Sequence, residues 1–434
     1  MGMFAQRRKG AWRKALVPDH KAPHKFEREK ETGSMGLISD RLNRIAPSPT
    51  VSITDMALNM KAAGRKVIGL AAGEPDFDTP QHIKDAATAA MKAGKTKYTQ
   101  VDGIPELKEA ICRKFARENN VACTPDMITV STGGKQVLFN ALMASLNPSD
   151  EVIIPTPYWV SFAGIVEICE AKPVFVKGSG ANPMKISAED LEAVITPNSK
   201  WLILNSPSNP GGVGYAENDL LAFAAVMRRH PQLHLISDDI YEHLVYDDFQ
   251  FATMATIAPD LQDRILTVNG VSKSYCMTGW RIGYGSGPVP LIKAMAKVQS
   301  QSTSSPNSMA QYAAIAALDG PLDFMAENRA AFARRRQLVC TALNDIDGID
   351  CPLPDGAFYV YPSIAKLIGK KRPDGKIIES DSDFVSYLLA AGEVAVVPGV
   401  AFGLSPYFRI SYAAADDVLA DAMQRIAKVT ASLT

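Results

Sequence analysis

The stretch Val271-Ser272-Lys273-Ser274-Tyr275-Cys276-Met277-Thr278-Gly279-Trp280-Arg281-Ile282-Gly283 sets the reading of the whole chain. It places a lysine at the mouth of an apolar strand and an arginine eight residues later in a glycine-flanked turn. An ε-amine in a partly desolvated site loses its proton more readily and can form a Schiff base. A guanidinium suits a phosphate ester, which it meets with paired hydrogen bonds. Taken alone, the two residues are equally well a pair of solvated surface charges. The sequence on either side decides between these readings.

Upstream, short apolar runs alternate with helical patterns. Candidate strands are 127–131, 152–154, 173–176, 201–204, 233–237, 265–268 and 282–286. Several are almost wholly apolar, as strands covered on both faces must be. Helical patterns fall at 135–146, 188–195, 217–229 and 289–300, and 310–318 reads as a buried helix. This alternation predicts an α/β fold, a mostly parallel seven-stranded sheet with helices on both faces. Beyond 320 the texture changes. A long helix over 323–345, Arg-rich at 334–336, leads to short strands near 357–361 and 394–397 and a terminal helix from 415. That pattern predicts a smaller α+β domain. The expected division is 1–35 as a basic, disordered arm, 36–81 as an N-terminal segment joining the small domain, 82–320 as the large domain and 321–434 as the small one.

The arm holds nine Lys/Arg against four Asp/Glu and lacks the apolar core of a secretory signal. Its acids also count against a transit peptide, and Met35 is a candidate start. The 434 residues carry 47% hydrophobic and 21% charged residues, ordinary for a globular protein. Lys+Arg and Asp+Glu are both 46, so nothing suggests a general attraction to nucleic acid or an anionic membrane. No apolar run is long enough to span a bilayer. The six cysteines are scattered without a C-x-x-C pair, and no H-E-x-x-H occurs among the six histidines. A cytoplasmic protein with free thiols and no metal site is the simplest expectation.

Ligands of open α/β sheets bind at the carboxyl ends of the strands. The chemistry-bearing residues fall there repeatedly. After 127–131 come Gly133 and Gly134 at a helix start, where free backbone N–H groups attract an anion. After 201–204 comes Asn209 in a proline-interrupted loop, and after 233–237 come Asp238, Asp239 and Tyr241. After 265–268 come Ser272 and Lys273. Each alone is as readily a turn or a helix cap. One cofactor, pyridoxal 5'-phosphate, uses them all. Its ring nitrogen needs an anion (Asp238), its phenolate oxygen needs donors (Tyr241, Asn209), its phosphate needs Gly133, Gly134, Ser272 and Arg281, and its aldehyde needs Lys273.

The motifs Asn-Pro-Gly-Gly (209–212), Ser-Asp-Asp-Ile-Tyr-Glu-His-Leu (237–244) and Ser-Lys-Ser-Tyr-Cys-Met-Thr-Gly-Trp-Arg-Ile-Gly (272–283) resemble those of fold-type-I pyridoxal-phosphate aminotransferases. Ala-Gly-Glu-Pro-Asp-Phe (72–77), Gly-Lys-Thr-Lys-Tyr (94–98), Pro-Tyr-Trp-Val-Ser (157–161) and Phe-Arg-Ile-Ser-Tyr (408–412) are similar to the bacterial-type aspartate aminotransferases, a subgroup that includes aspartate/prephenate enzymes. The resemblance covers roughly 36–430, in the family's motif order. It implies that Lys273 forms the Schiff base and shuttles a proton between the substrate α-carbon and the cofactor. It implies that Trp159 stacks on the ring and that Arg409 takes the substrate α-carboxylate beside Asn209 and the Gly73 backbone. It implies that Tyr98 reaches the neighbouring subunit's phosphate, hence a homodimer with shared sites. Lys135, with Ser48 and Thr50, is implied to take a side-chain carboxylate.

Three departures stand out. Gly211 replaces the family's usual threonine, which predicts a more mobile loop. Cys276 stands where a small residue is usual and is expected to be a packed thiol. No counterpart exists for the arginine that eukaryotic-type enzymes use for the side-chain carboxylate. The substrates implied are aspartate, glutamate and their 2-oxo acids, with prephenate, converted to arogenate, as the alternative. A lyase or decarboxylase on the same fold would need the same Lys, Asp, Tyr and Arg, but Lys135 favours a second carboxylate. A pyridoxal-phosphate-dependent transcription regulator would need a DNA-binding module, for which the arm is too short. Ala89 occupies the position where a phosphate loop ending in Gly94-Lys95-Thr96 would need glycine.

Overall fold

The structure, a computed structural model, describes residues 38–45 and 49–434. The arm expected at 1–35 lies outside them. The strands in chain order are β1 (Ile68–Gly69), β2 (Ile128–Ser131), β3 (Glu151–Thr156), β4 (Lys172–Lys177), β5 (Ser199–Asn205), β6 (His234–Asp238), β7 (Ile265–Gly270), β8 (Gly283–Ser286), β9 (Tyr359–Val360), β10 (Val394–Ala395), β11 (Val397–Pro398) and β12 (Phe408–Ser411). The seven strands expected between 127 and 286 form one sheet in the order β2-β8-β7-β6-β5-β3-β4. All neighbours are parallel except at β8, which runs antiparallel to β2 and β7. The segment between β7 and β8 contains only one turn of 3₁₀ helix, Thr278–Trp280, so no crossover helix brings the chain back for a parallel pairing. That reversing segment is the one that carries Lys273.

Side-chain alternation explains the two covered faces. Ile154, Ile203 and Ile236 pack with Val137, Leu142 and Phe162 on one face. Ile153, Leu202 and Leu235 pack with Leu220, Phe223 and Met227 on the other. Each fully buried branched residue stabilises the sheet by about 1.5–3 kcal/mol, so a polar substitution on either face of β5 would be costly. Because β5, β6 and β7 are parallel, their carboxyl ends converge. The register sets Asn205 beside Asp238, and Asp238 beside Val268.

A second layer holds the three-stranded antiparallel sheet β11-β12-β9 and the pair β1-β10. Its helices are Asp323–Asn344, Asp381–Tyr387 and Asp416–Ala431. Ile53, Leu70 and Ala71 from the N-terminal segment share its core with Phe332, Phe358, Phe408, Leu419 and Ile426. The short strands β1 and β12 carried too little apolar pattern to be expected as strands. The arginines at 334–336 are structural. Arg335 meets both Asp76 oxygens at 2.7 and 2.9 Å and Asp416 at 2.9 Å, while Arg336 donates to the Pro354 carbonyl at 2.8 Å and pairs with Asp247. They tie the long helix to the 72–77 motif and to the first layer.

The loop expected to be mobile is enclosed. Gly211 and Gly212 are buried, Gly212 N–H donates to the Ser208 carbonyl at 2.8 Å, and Gly356 N–H donates to the Gly212 carbonyl at 2.9 Å. Gly212 has φ +66°, and a Cβ there would stand 2.4 Å from Pro354 Cβ. The second glycine is required by close approach of the second layer, which fixes the loop instead of loosening it.

Candidate active site

Lys273 follows β7 by three residues and lies partly buried in the cleft between the layers. Its Nζ donates to the Gly73 carbonyl at 2.6 Å and sits 5.9 Å from the Phe358 ring centre. Burial, with Arg281 and Arg409 nearby, pulls the ammonium down to about 8, against a smaller upward pull from Glu74 and Asp238. An amine so placed is available in its neutral, nucleophilic form near neutral pH.

Asp238 ends β6 and is buried. Burial and then the adjacent Asp239 push its carboxyl up to about 7, opposed by the Ile240 N–H and by Lys273. Such a carboxylate is poised to ionise when a cation is set beside it. Tyr241 is buried too, and burial holds its phenol well above the ordinary value. Its hydroxyl lies 2.9 Å from that of Tyr359. A Cβ on Gly73 would lie 2.3 Å from the Tyr359 oxygen, so only glycine fits between this tyrosine and the lysine.

Arg409, on β12, reaches the same cleft. Nη1 donates to Asn209 Oδ1 at 2.8 Å and Nη2 to the Ala71 carbonyl. Its guanidinium stands 4.7 Å from the Tyr359 ring and 4.9 Å from the Phe402 ring. The residue is 2% exposed, and among the described residues its Nε has no hydrogen-bond partner and no carboxylate pairs with it. A buried cation without a counter-charge is costly and implies an anion that completes it. The Gly73 backbone was expected beside the substrate α-carboxylate that Arg409 takes, and both residues reach this cleft. The direct contacts are Gly73 with Lys273 and Ala71 with Arg409. Asn209 is held in turn by Asn205, whose Oδ1 accepts from Asn209 N–H at 2.8 Å and whose Nδ2 donates to the Asp238 carbonyl at 2.9 Å. The ends of β5 and β6 are thus linked to Arg409 by one polar chain.

An anion cradle flanks Lys273. Gly133 has φ +86°, and a Cβ there would lie 2.4 Å from Arg281 Nη2. Arg281 donates only to the Thr278 and Thr132 carbonyls, at 3.0 and 3.3 Å, and pairs with no carboxylate among the described residues. The N–H groups of Gly134 and Lys135 begin the helix Gly134–Ser145 and face no acceptor among the described residues. Ser272 is buried next to Lys273. Backbone donors, a helix dipole and a free guanidinium together suit a phosphate.

Lys135 Nζ stands 5.0 Å from the Trp159 ring centre. Burial and then Arg281 lower its pKa. Tyr98 is 93% exposed and reaches none of these groups within its own chain. Ser48 lies outside the described residues, and Thr50 falls in the helix Pro49–Ala62. Cys276 is buried, its thiol pushed up to about 12 by burial, with Asn328 Nδ2 at 3.5 Å, as a packed thiol should be. Sequence reasoning missed Tyr359 and Phe402, because an aromatic in a short strand or turn reads first as core. It also missed Thr79, whose hydroxyl donates to the Cys276 carbonyl at 2.6 Å and accepts from Trp280 Nε1 at 3.0 Å.

A mostly parallel α/β sheet with a desolvated lysine, a strand-end aspartate and an arginine beside a glycine-led helix start at its edge defines an enzyme of the fold-type-I transferase class. Residues 65–426 match the family model for aminotransferases of class I and II, and the chain belongs to that family, whose members depend on pyridoxal phosphate. It is 58% identical over 400 residues to the aspartate/prephenate aminotransferase of Cereibacter sphaeroides, covering 92% of this chain and all of that one. It is 56% identical over 389 residues to the aspartate aminotransferase of Rhizobium meliloti, covering 90% and 95%. The crystal structure of the aspartate aminotransferase from Rhizobium meliloti superposes with a TM-score of 0.89 at 54% identity, covering 92% of this chain and 99% of that one. That of the Thermus thermophilus aspartate aminotransferase with maleate gives 0.85 at 40%, covering 91% and 100%.

Proposed function

We propose that this chain transfers the amino group of dicarboxylic amino acids, converting L-aspartate and 2-oxoglutarate to oxaloacetate and L-glutamate in alternating half-reactions, with pyridoxal 5'-phosphate as cofactor. The observation that carries this reading is a pair of cations, Arg409 buried near Lys273 and Lys135 set near Arg281 and over Trp159, neither of which pairs with a carboxylate among the described residues. Two cations suit a substrate with two carboxylates. The maleate in the Thermus thermophilus relative's structure is such a dianion.

When bound, the cofactor supplies an aldehyde that condenses with amines and a ring that accepts the electron pair released when the substrate α C–H bond breaks. The chain's own residues do the rest. Gly133, Gly134, Ser272 and Arg281 hold the phosphate. Trp159 would hold one face of the ring. Asp238 would hold the ring nitrogen as its counter-charge, and Tyr241 and Asn209 would hold the ring oxygen. Lys273 would hold the cofactor's aldehyde and would carry the proton taken from the substrate α-carbon. Arg409 grips the α-carboxylate and so fixes which bond faces Lys273. Lys135, with Thr50 and Ser48, receives the second carboxylate. Arg409 stands on the second layer and the cofactor groups on the first, so substrate closes the cleft. Tyr98, so exposed in one chain, completes the site of a second copy, which makes the functional unit a homodimer with shared sites.

A second reading has its own support, since the Cereibacter sphaeroides relative is named for prephenate as well as aspartate. Prephenate also carries two carboxylates, and its amination would give arogenate. The test is half-transamination. Purified protein is mixed separately with aspartate, glutamate, alanine or phenylalanine, and the cofactor absorbance is followed to the amine form. The amine form is then offered oxaloacetate, 2-oxoglutarate or prephenate. Fast conversion by aspartate and glutamate, reversed by their oxo acids, is the expected result. Reversal by prephenate adds the second activity. A cofactor band that reacts without giving the amine form would replace both readings with a lyase.

A further inference from the structure

Behind the cleft lies a buried ionic cluster that none of the roles above uses. Lys114, on the helix Pro105–Asn119, is 0% exposed. Its Nζ donates to Glu242 Oε1 and, at 2.7 Å, to Asn119 Oδ1, and lies 3.5 Å from Glu118 Oε2. Glu242 Oε1 also accepts from Asn269 Nδ2 at 2.7 Å, and Oε2 accepts from Asn119 Nδ2 at 2.7 Å. His243 Nε2 lies 2.8 Å from Glu118 Oε2. Glu118, Glu242 and His243 bring donor atoms close enough to hold a cation, but the Lys114 ammonium already supplies the positive charge there. Burial alone would raise the Glu242 carboxyl; Lys114, His243 and the hydrogen bonds outweigh it and hold it below the ordinary value, so Glu242 is a carboxylate.

The connectivity gives this cluster its meaning. Glu242 is the residue after Tyr241 and four after Asp238. Asn269 is four before Lys273 and also accepts from Gly270 N–H at 2.8 Å. One carboxylate therefore ties the turn after β6 to the end of β7. Asp239 N–H, donating to the Val268 carbonyl at 2.9 Å, joins the same two segments. We infer that the buried Lys114–Glu242 pair, bridged to Asn269, is a positioning unit that holds Asp238 and Tyr241 in register with Lys273, with Lys114 as its anchoring residue. A buried pair is seldom retained for stability alone, since apolar residues of similar volume serve as well. Removing one partner strands a charge, whereas removing both leaves the fold intact and the register loose.

This inference rests on the aminotransferase reading for its kinetic consequences and on the apoprotein for its structural ones. The test compares wild type with the double variant Lys114→Met/Glu242→Gln. The double variant is expected to fold with a similar Tm. Amide exchange in the cofactor-free protein should quicken at 238–243 and 269–275 and stay unchanged on the helix Glu217–Arg229. The dissociation constant for pyridoxal phosphate should rise and kcat fall, each by about ten- to hundred-fold, as misplaced reacting groups produce, while KM for aspartate stays near wild type. A folded variant with unchanged exchange, cofactor affinity and kcat overturns the inference. If the double variant does not fold, Asn269→Ala, which removes the bridge but leaves the charges paired, must show the same exchange and affinity changes or the inference falls. Failure of the wild type to take up the cofactor would count against the functional reading, and the exchange comparison would still decide the positioning role.

Discussion

The Nζ of Lys273 and the carbonyl of Gly73 meet at 2.6 Å across 200 residues of sequence. This bond joins the segment between β7 and β8 to the segment leading out of β1. It aims the amine into the cleft, and the Tyr359 hydroxyl closes against Gly73 from the other side. Lys273→Ala should abolish the visible absorbance of the lysine-linked cofactor and lower turnover by about 10²–10⁴-fold, the usual worth of a positioned proton carrier. Stopped-flow spectra with aspartate measure both. Turnover near wild type would remove the central assignment.

Asp238 makes a prediction about pH. Its folded value is about 7 against an ordinary 3.8. Between those values the folded, cofactor-free protein binds more protons than the unfolded chain, so this group's stabilising contribution is full at low pH and is lost as pH rises through 7. Asp238→Asn removes that loss. The cofactor-free variant should therefore gain on wild type as pH rises from about 4 to about 7, by about 1.4 kcal/mol for every pH unit crossed. Thermal unfolding at both ends of the window tests it, and a constant difference would show that Asp238 is not held protonated. In the loaded enzyme the variant should slow α-proton removal, the outcome expected from the role proposed for Asp238 at the ring nitrogen.

Lys135 should act on one class of substrate. A hydrogen bond to a charged group is worth about 1.5–3 kcal/mol. Lys135→Gly should thus raise KM for aspartate and glutamate by about ten- to a hundred-fold and leave that for alanine or phenylalanine nearly unchanged. Steady-state kinetics on the four amino acids decide the matter. An equal rise for all four would assign Lys135 to the anion cradle beside Arg281 instead.

The strand ends were legible because parallel strands covered on both faces read as apolar runs, and each run stopped at a polar residue that had no reason to be inside. Asn205, Asp238 and Lys273 fall at or just beyond such stops. What joins them was not legible. Tyr241 meets Tyr359, Lys114 meets Glu242 and Arg409 meets Asn209 at separations of 118, 128 and 200 residues. Contacts that distant leave no period in the sequence. The antiparallel direction of β8 was hidden for a similar reason, since its apolar pattern is the same either way. Tyr98 marks the opposite limit, as its proposed partner belongs to another copy of the chain.

Gly211 and Gly212 give the last prediction, in which adjacent glycines should behave oppositely. At Gly211 an added Cβ would meet Met184 Sδ at 3.2 Å, the movable end of a flexible side chain. Gly211→Ala should stabilise the protein by about 0.4–1 kcal/mol, through a less flexible unfolded chain. At Gly212 the Cβ would lie 2.4 Å from Pro354 Cβ and 2.6 Å from the Gly356 carbonyl oxygen, in a left-handed conformation. The conformation costs about 1–2 kcal/mol and the overpacking about 1–3 kcal/mol more. Gly212→Ala should therefore destabilise the chain by several kcal/mol and raise KM, because the displaced loop carries Asn209 and with it the aim of Arg409. Urea titration and aspartate kinetics on the two variants test the pair. If both glycines tolerate alanine equally, the loop is not clamped by the second layer and the expectation of a mobile loop returns.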